Sequence, residues 1–203
     1  MTILIRDVRA HELDAVLALN NAAGPTILPL DAARLRQLHD TADYFRVAEV
    51  DGHIAGFLVG FSQAADHDSS NFRWFKQRFD AFLYIDRVVV AGSRRGAGVG
   101  RVFYADLQSF AEVRWPQIAC EVFLDEGSDP ALLFHGTLGF QEAGQHVMAE
   151  SGKRCSMLVR PLRSHPWVRE HYLLGEGLPA EPWLAARRID DAGARADGRA
   201  TGT

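Results

Sequence analysis

The sequence predicts a single mixed α/β domain with a C-terminal extension, and three observations carry that prediction. Its 203 residues are 47% hydrophobic, enough for one proper core. Strand-like and helix-like runs alternate along the chain, without an internal repeat and too irregularly for a barrel of eight equal units. At Asp51 and Gly52 two strand-like runs meet in the strongest short hairpin signal of the chain, so the sheet contains antiparallel pairing.

Element by element, ILIRDVR reads as a strand and HELDAVLALNNAAG as a helix ending near Gly24 and Pro25, where glycine and proline break the pattern. DAARLRQLHD is a second helix, and YFRVAEVDGHIAGFLVGF forms the hairpin. The polar stretch SQAADHDSSNFRWFKQRF, with its interleaved aromatics, reads as a loop with a short helical piece, long enough to cover a pocket. FLYIDRVVV is the next strand. From about Val99 to Val113, Val99, Val102, Phe103, Leu107 and Phe110 recur at helical spacing and give one apolar face. QIACEVFL is a strand, DPALLFHGTL a short helix with Asp129 at its N-cap and Pro130 in its first turn, and GFQEAGQHVMA with RCSMLVRPL a final strand pair.

Composition excludes several classes. A formal charge of −4 supplies no general attraction to nucleic acid or to an anionic membrane, and no stretch approaches the ~18 apolar residues of a membrane span. The start MTILIRDVRAHELD is charged too early for a secretory signal. Cys120 and Cys155 lie in strand-like runs without a CxxC, which suits buried reduced thiols and a cytoplasmic location. His67 and Asp68 sit in the polar loop without ligand spacing, and no metal site is expected.

The stretch SRRGAGVG, Ser93 to Gly100, places three glycines between a strand and a helix. A nucleoside triphosphatase loop needs a lysine after its last glycine, and none follows here. A dinucleotide fold needs GxGxxG after a first strand, whereas Gly96, Gly98 and Gly100 form GxGxG in mid-chain. Arg95, Gly98 and Gly100 instead make RxxGxG, and the loop resembles the acyl-CoA loop of the GCN5-related N-acetyltransferase (GNAT) superfamily. Backbone amides and the following helix start would hold a pyrophosphate without a lysine. DPALLFHGTLGF, ending in Leu138, Gly139 and Phe140, resembles a second family segment about 40 residues on, and the order of elements over residues 1–162 matches the family core.

The resemblance implies a mostly antiparallel central sheet with splayed strands and flanking helices, acetyl-CoA as cosubstrate, and an amine acceptor, either a small molecule or a peptide. It assigns the cosubstrate to the backbone of Val88, Val89 and Val90 and to Arg94, Arg95, Gly96, Ala97, Gly98, Val99, Gly100, Arg101 and Phe134. Asp86 stands near the point where relatives carry a glutamate base. Burial would raise its pKa toward a useful range, while the structural alternatives are an ion pair with Arg87 or Arg46, or an anchor for an ammonium. Glu121 is the rival base, sharing a strand face with Ala119 and Phe123. His135 occupies the position at which many relatives have a proton-donating tyrosine, and it could equally bond the cosubstrate or fill a helix face. Asn21, Trp74, Phe75 and Tyr84 are the expected acceptor-pocket residues.

Direct transfer in a ternary complex is the expected mechanism, since no activated nucleophile is evident. The competing class is a noncatalytic acyl-CoA sensor or regulatory module, which would keep the loop and lose the chemistry. Residues 163–203 form an extension whose first part keeps Trp167, Tyr172, Leu173, Leu174 and Trp183 for packing or a homodimer contact, with disorder from about residue 190.

Overall fold

The computed structural model describes residues 2–24, 27–124, 129–149 and 151–174. The chain divides into two compact units, Met1–His165 and Pro166–Thr203. The first contains a seven-stranded sheet of order β1-β2-β3-β4-β5-β7-β6. Its strands are β1 (Ile3–Asp7), β2 (Tyr44–Val50), β3 (His53–Ser62), β4 (Leu83–Val90), β5 (Gln117–Phe123), β6 (Gln141–Val147) and β7 (Arg154–Pro161). The helices are α1 (Leu13–Asn21), α2 (Ala32–Thr41), α3 (Ser70–Lys76), α4 (Val99–Glu112) and α5 (Asp129–Thr137). The N-cap expected at Asp129 and the chain break expected at Pro25 lie outside what is described of those residues.

The hairpin forms where its sequence signal stands. Asp51 and Gly52 both take positive φ, 51° and 81°, as a two-residue turn matching the twist of its strands requires. Every strand pair is antiparallel except β4 with β5. That parallel pair is joined only at Leu83–Ile118 and Tyr84–Ala119. Beyond it the two strands part, and the sheet opens at its centre.

The sheet has a core on each face. Val16, Leu35, Leu38, Phe72 and Phe75 from α1, α2 and α3 pack with Val47, Phe57, Tyr84 and Met157. Val99, Phe103, Tyr104 and Leu107 from α4 pack on the other face with Leu58, Leu83, Ile85 and Cys120. Both cysteines are buried and neither is in a disulfide. No helix among the described residues is long and apolar enough to cross a membrane.

The second unit is described only as far as Leu174. Its backbone winds through Arg169–Leu173 as a wide helical turn, and Trp167 stacks on His171 with ring centroids 4.4 Å apart. Trp183 and the stretch expected to be disordered lie outside the described residues.

Candidate active site

Where β4 and β5 separate, a cleft of about 670 Å³ is lined by Tyr84–Val88 from β4, Cys120–Phe123 from β5, Ile27–Leu30 from the α1–α2 connection, and Tyr104 and His135. A bulge in β4 decides which side chains enter it. Val59 faces Arg87 and Gly60 faces Ile85, so Asp86 is the extra residue. The insertion reverses the alternation of sides. Tyr84 and Val89, five residues apart, thus join the same core, and Asp86 and Arg87 come to lie against each other, Arg87 Nε donating to Asp86 Oδ2 at 2.6 Å.

Asp86 is therefore a paired carboxylate. Ser69 N–H donates to His67 Nδ1 at 3.2 Å, which places the ring proton on Nε2, and Nε2 lies 3.0 Å from Asp86 Oδ1. Burial alone would raise the Asp86 pKa, but the His67 hydrogen bond and the Arg87 charge more than offset it and bring it to about 2. This corrects the expectation that burial raises it. Arg46, the other partner considered, is committed to Asp7 and Asp106. Arg87 Nη1 continues the network to Asn20 Oδ1 at 2.9 Å and to the Leu28 carbonyl at 3.3 Å.

Glu121 has the opposite environment. Its Oε1 accepts from Tyr84 Oη at 2.9 Å and from Asn71 Nδ2 at 3.0 Å, while its buried Oε2 has no hydrogen-bond partner. Burial pushes its pKa up to about 7, with the Asn71 and Tyr84 hydrogen bonds restraining the rise. A carboxyl group that ionises near neutral pH and keeps one oxygen unengaged is equipped to accept a proton.

His135 is enclosed on the opposite side of the cleft. Its Nδ1 donates to the Ala131 carbonyl at 2.7 Å, which leaves Nε2 to accept from Tyr104 Oη at 2.7 Å. Burial lowers its pKa. Both ring nitrogens are engaged, and the neutral ring presents no proton to the cleft.

The glycine loop leads into α4. Gly96 and Gly98 take φ of 78° and 86°, and a side chain added at either would meet nothing within 4 Å. Gly98 is the N-cap of α4, and the Arg95 N–H closes the turn before it on the Gly92 carbonyl. Gly100 has a different reason: a Cβ there would lie 3.1 Å from the Phe134 ring. Arg95 bonds the Val90 and Ala23 carbonyls, Arg94 pairs with Asp51 at 3.6 Å, and Ala97 N–H bonds the Arg94 carbonyl. Val99 is core, Arg101 is exposed, and of Val88, Val89 and Val90 only Val88 lines the cleft.

Of the expected acceptor residues, Tyr84 alone lines the cleft. Asn21 exchanges hydrogen bonds with the Leu30 backbone. Trp74 and Phe75 are core, because the buried face of α3 turns Asn71, Phe72, Trp74 and Phe75 toward the sheet. Asn71, His67 and Tyr104 were not foreseen, since each meets its partner across a large sequence separation. Among the described residues no group of three or more His, Cys, Asp or Glu is placed to hold a metal.

A model of the acetyltransferase (GNAT) family matches residues 13–140. The chain belongs to the acetyltransferase (GNAT) family. Enzymes of this family use acetyl-CoA as cosubstrate. The fold of this GNAT protein is also that of solved acetyltransferases. The ribosomal-protein-alanine N-acetyltransferase of Brucella melitensis is 24% identical with a TM-score of 0.61, covering 78% of this chain and 99% of that one. The ribosomal-protein-S18-alanine N-acetyltransferase of Escherichia coli is 14% identical with a TM-score of 0.59, covering 79% and 94%. Naa20 of Chaetomium thermophilum, solved with a bisubstrate analogue, is 21% identical with a TM-score of 0.62, covering 83% and 90%. No curated protein matches this GNAT chain by sequence.

Proposed function

We propose that the protein transfers the acetyl group of acetyl-CoA to a primary amine in a ternary complex, with Glu121 as the base. The observation that carries this reading is the state of Glu121: on the cleft wall, poised near neutrality, anchored through Oε1 and with a buried Oε2 that has no hydrogen-bond partner. The glycine loop and the start of α4 would hold the pyrophosphate. The free edge of β4 near Val88 would supply amides to the thioester.

In this scheme Oε2 takes one proton from the acceptor ammonium, and the freed lone pair attacks the thioester carbonyl carbon. As the carbon–sulfur bond breaks, the nitrogen's second proton passes to the departing sulfur, giving amide and thiol. That route needs no separate proton donor, which accords with the closed His135–Tyr104 pair. Cys120 lines the cleft as well, but burial and the neighbouring Glu121 raise its thiol pKa well above the ordinary value. A protonated thiol is a weak nucleophile, which supports direct transfer over a covalent acyl enzyme.

Acetyl-CoA turnover, read as thiol release across small amines, amino acids, aminoglycosides and peptides with free N-termini, tests the reading. The names of the similar solved proteins support including N-terminal alanine peptides. The engagement of His135 favours one other reading, a sensor that binds acetyl-CoA without chemistry. Tight binding with no turnover of any amine would select it.

A further inference from the structure

The polar, aromatic-rich stretch between β3 and β4 does more than cover the core. Ser69 caps α3, its Oγ accepting from the N–H groups of Asn71 and Phe72 at 3.2 and 3.4 Å. This holds Asn71 on the helix face turned toward the sheet, completely buried. From there its amide reaches Glu121, fifty residues away in sequence.

The orientation of that amide follows from its neighbours. Nδ2 lies 3.0 Å from Glu121 Oε1 and 3.7 Å from Cys155 Sγ. Turning the group over would set two acceptor oxygens against each other at Glu121. Tyr84 Oη donates to the same Oε1, and Phe72 and Phe75 pack edgewise or tilted against the Tyr84 ring at 5.4 and 5.9 Å. One oxygen of the carboxylate thus receives both donors, and the other receives none.

We propose that Asn71, acting with Tyr84, is a positioning residue for the base: by holding Oε1 it directs Oε2 to the acceptor amine and favours the ionised carboxylate. This rests on the reading of Glu121 as base. The titratable groups that face Glu121 are Tyr84 and Asp86 from β4, Cys120 on its own strand, Cys155 from β7 through Asn71, and His67 through Asp86. Arg87 is the cation beside Asp86. Asn71 is uncharged, so its removal changes hydrogen bonding to Glu121 without changing the charge of this set.

The test is a carboxyl NMR titration of protein labelled with 13C-glutamate, the Glu121 resonance being assigned by its loss in Glu121→Gln. The wild-type midpoint is expected near 7. In Asn71→Leu, and in the smaller Asn71→Ala, it should rise by about one pH unit, the scale of one lost hydrogen bond to a carboxylate. At pH 7 the ionised fraction then falls about fivefold by the same arithmetic. Thiol release from acetyl-CoA with an N-terminal alanine peptide as the probe acceptor should fall in proportion and recover above about pH 8, with acetyl-CoA affinity unchanged. Tyr84→Phe, which keeps the ring and removes the second donor, should move the midpoint in the same direction without altering α3. A merely structural Asn71 would lower the melting temperature and leave the midpoint in place. An unmoved midpoint in the folded variants, Tyr84→Phe included, overturns the proposal. Full turnover by Glu121→Gln overturns the base itself, whatever the NMR midpoints show, and removes the purpose of the anchor.

Discussion

Replacing Asp86 by Asn separates the two carboxylates of the cleft. Asp86 is ionised in the folded protein because His67 and Arg87 outweigh the cost of burying it, bringing its pKa from 3.8 to about 2. A depressed pKa contributes stability that is present above the unfolded value and is lost as pH falls toward the folded one. At ~1.4 kcal/mol per pH unit the contribution at pH 7 is about 2 kcal/mol. The Asn variant keeps the shape and loses the charge, so it should melt about 4 to 8 °C below wild type at pH 7, and the gap should close as the pH approaches 2. Arg87, released from its counterion, should hold Asn20 and the Leu28 carbonyl less firmly. The acceptor KM should then rise while kcat falls less than about tenfold, with the midpoint of the pH–rate profile moving down, because the Asp86 charge helps to raise Glu121. Thermal melts across pH and steady-state thiol release provide both readouts. A fall in kcat of about a hundredfold or more, recovered by raising the pH, would refute this and make Asp86 the base.

Other consequences follow from single residues. Gly98→Val would force a branched side chain into positive φ and into the open space before α4. It should weaken acetyl-CoA binding at least ~10-fold by isothermal titration, and unchanged affinity in a folded variant would remove the loop from the account. Glu121, with its pKa raised from 4.5 to about 7, costs stability as pH rises through that window, up to about 3 kcal/mol above it. Glu121→Gln should therefore melt above wild type at pH 8.5, with the advantage gone below about pH 4.5. His135→Phe leaves the buried Tyr104 hydroxyl without its acceptor, at a cost of about 1 to 3 kcal/mol. Its kcat should stay within about tenfold of wild type, and a much larger loss would restore His135 as a proton donor.

Local chemistry made much of the fold legible. The Asp51–Gly52 hairpin, the α4 stripe at Val99, Phe103, Leu107 and Phe110, and the turn glycines before α4 each depend on residues adjacent in the chain and form where expected, whereas Val102 joins neither core and Tyr104 and Ala111 are buried beside the stripe. The alternation within QIACEVFL correctly set Ala119 and Phe123 apart from Cys120 and Val122. The β4 bulge was not legible, because FLYIDRVVV contains no glycine or proline to mark an extra residue, and simple alternation sets Asp86 beside Tyr84, Val88 and Val90. The pairing of the two carboxylates was hidden for a related reason. Whether a buried acid is raised or lowered depends on its partners, and those partners, His67 for Asp86 and Asn71 for Glu121, come from the β3–β4 segment, nineteen and fifty residues away. Trp74 and Phe75 misled because aromatic composition does not distinguish a pocket wall from the buried face of a short helix.

Whether Glu121 accepts the acceptor's proton is read from the pH–rate profile of Glu121→Gln beside that of wild type. Wild-type kcat/KM for an acceptor that turns over should show an ionisation near pH 7 belonging to Glu121. In the Gln variant that limb should vanish, with the rate at pH 7 lower by roughly 10² to 10⁴ and partly recovered at high pH, where the amine arrives already deprotonated. A variant that keeps both the wild-type rate and the inflection near pH 7 would show that Glu121 is not the base.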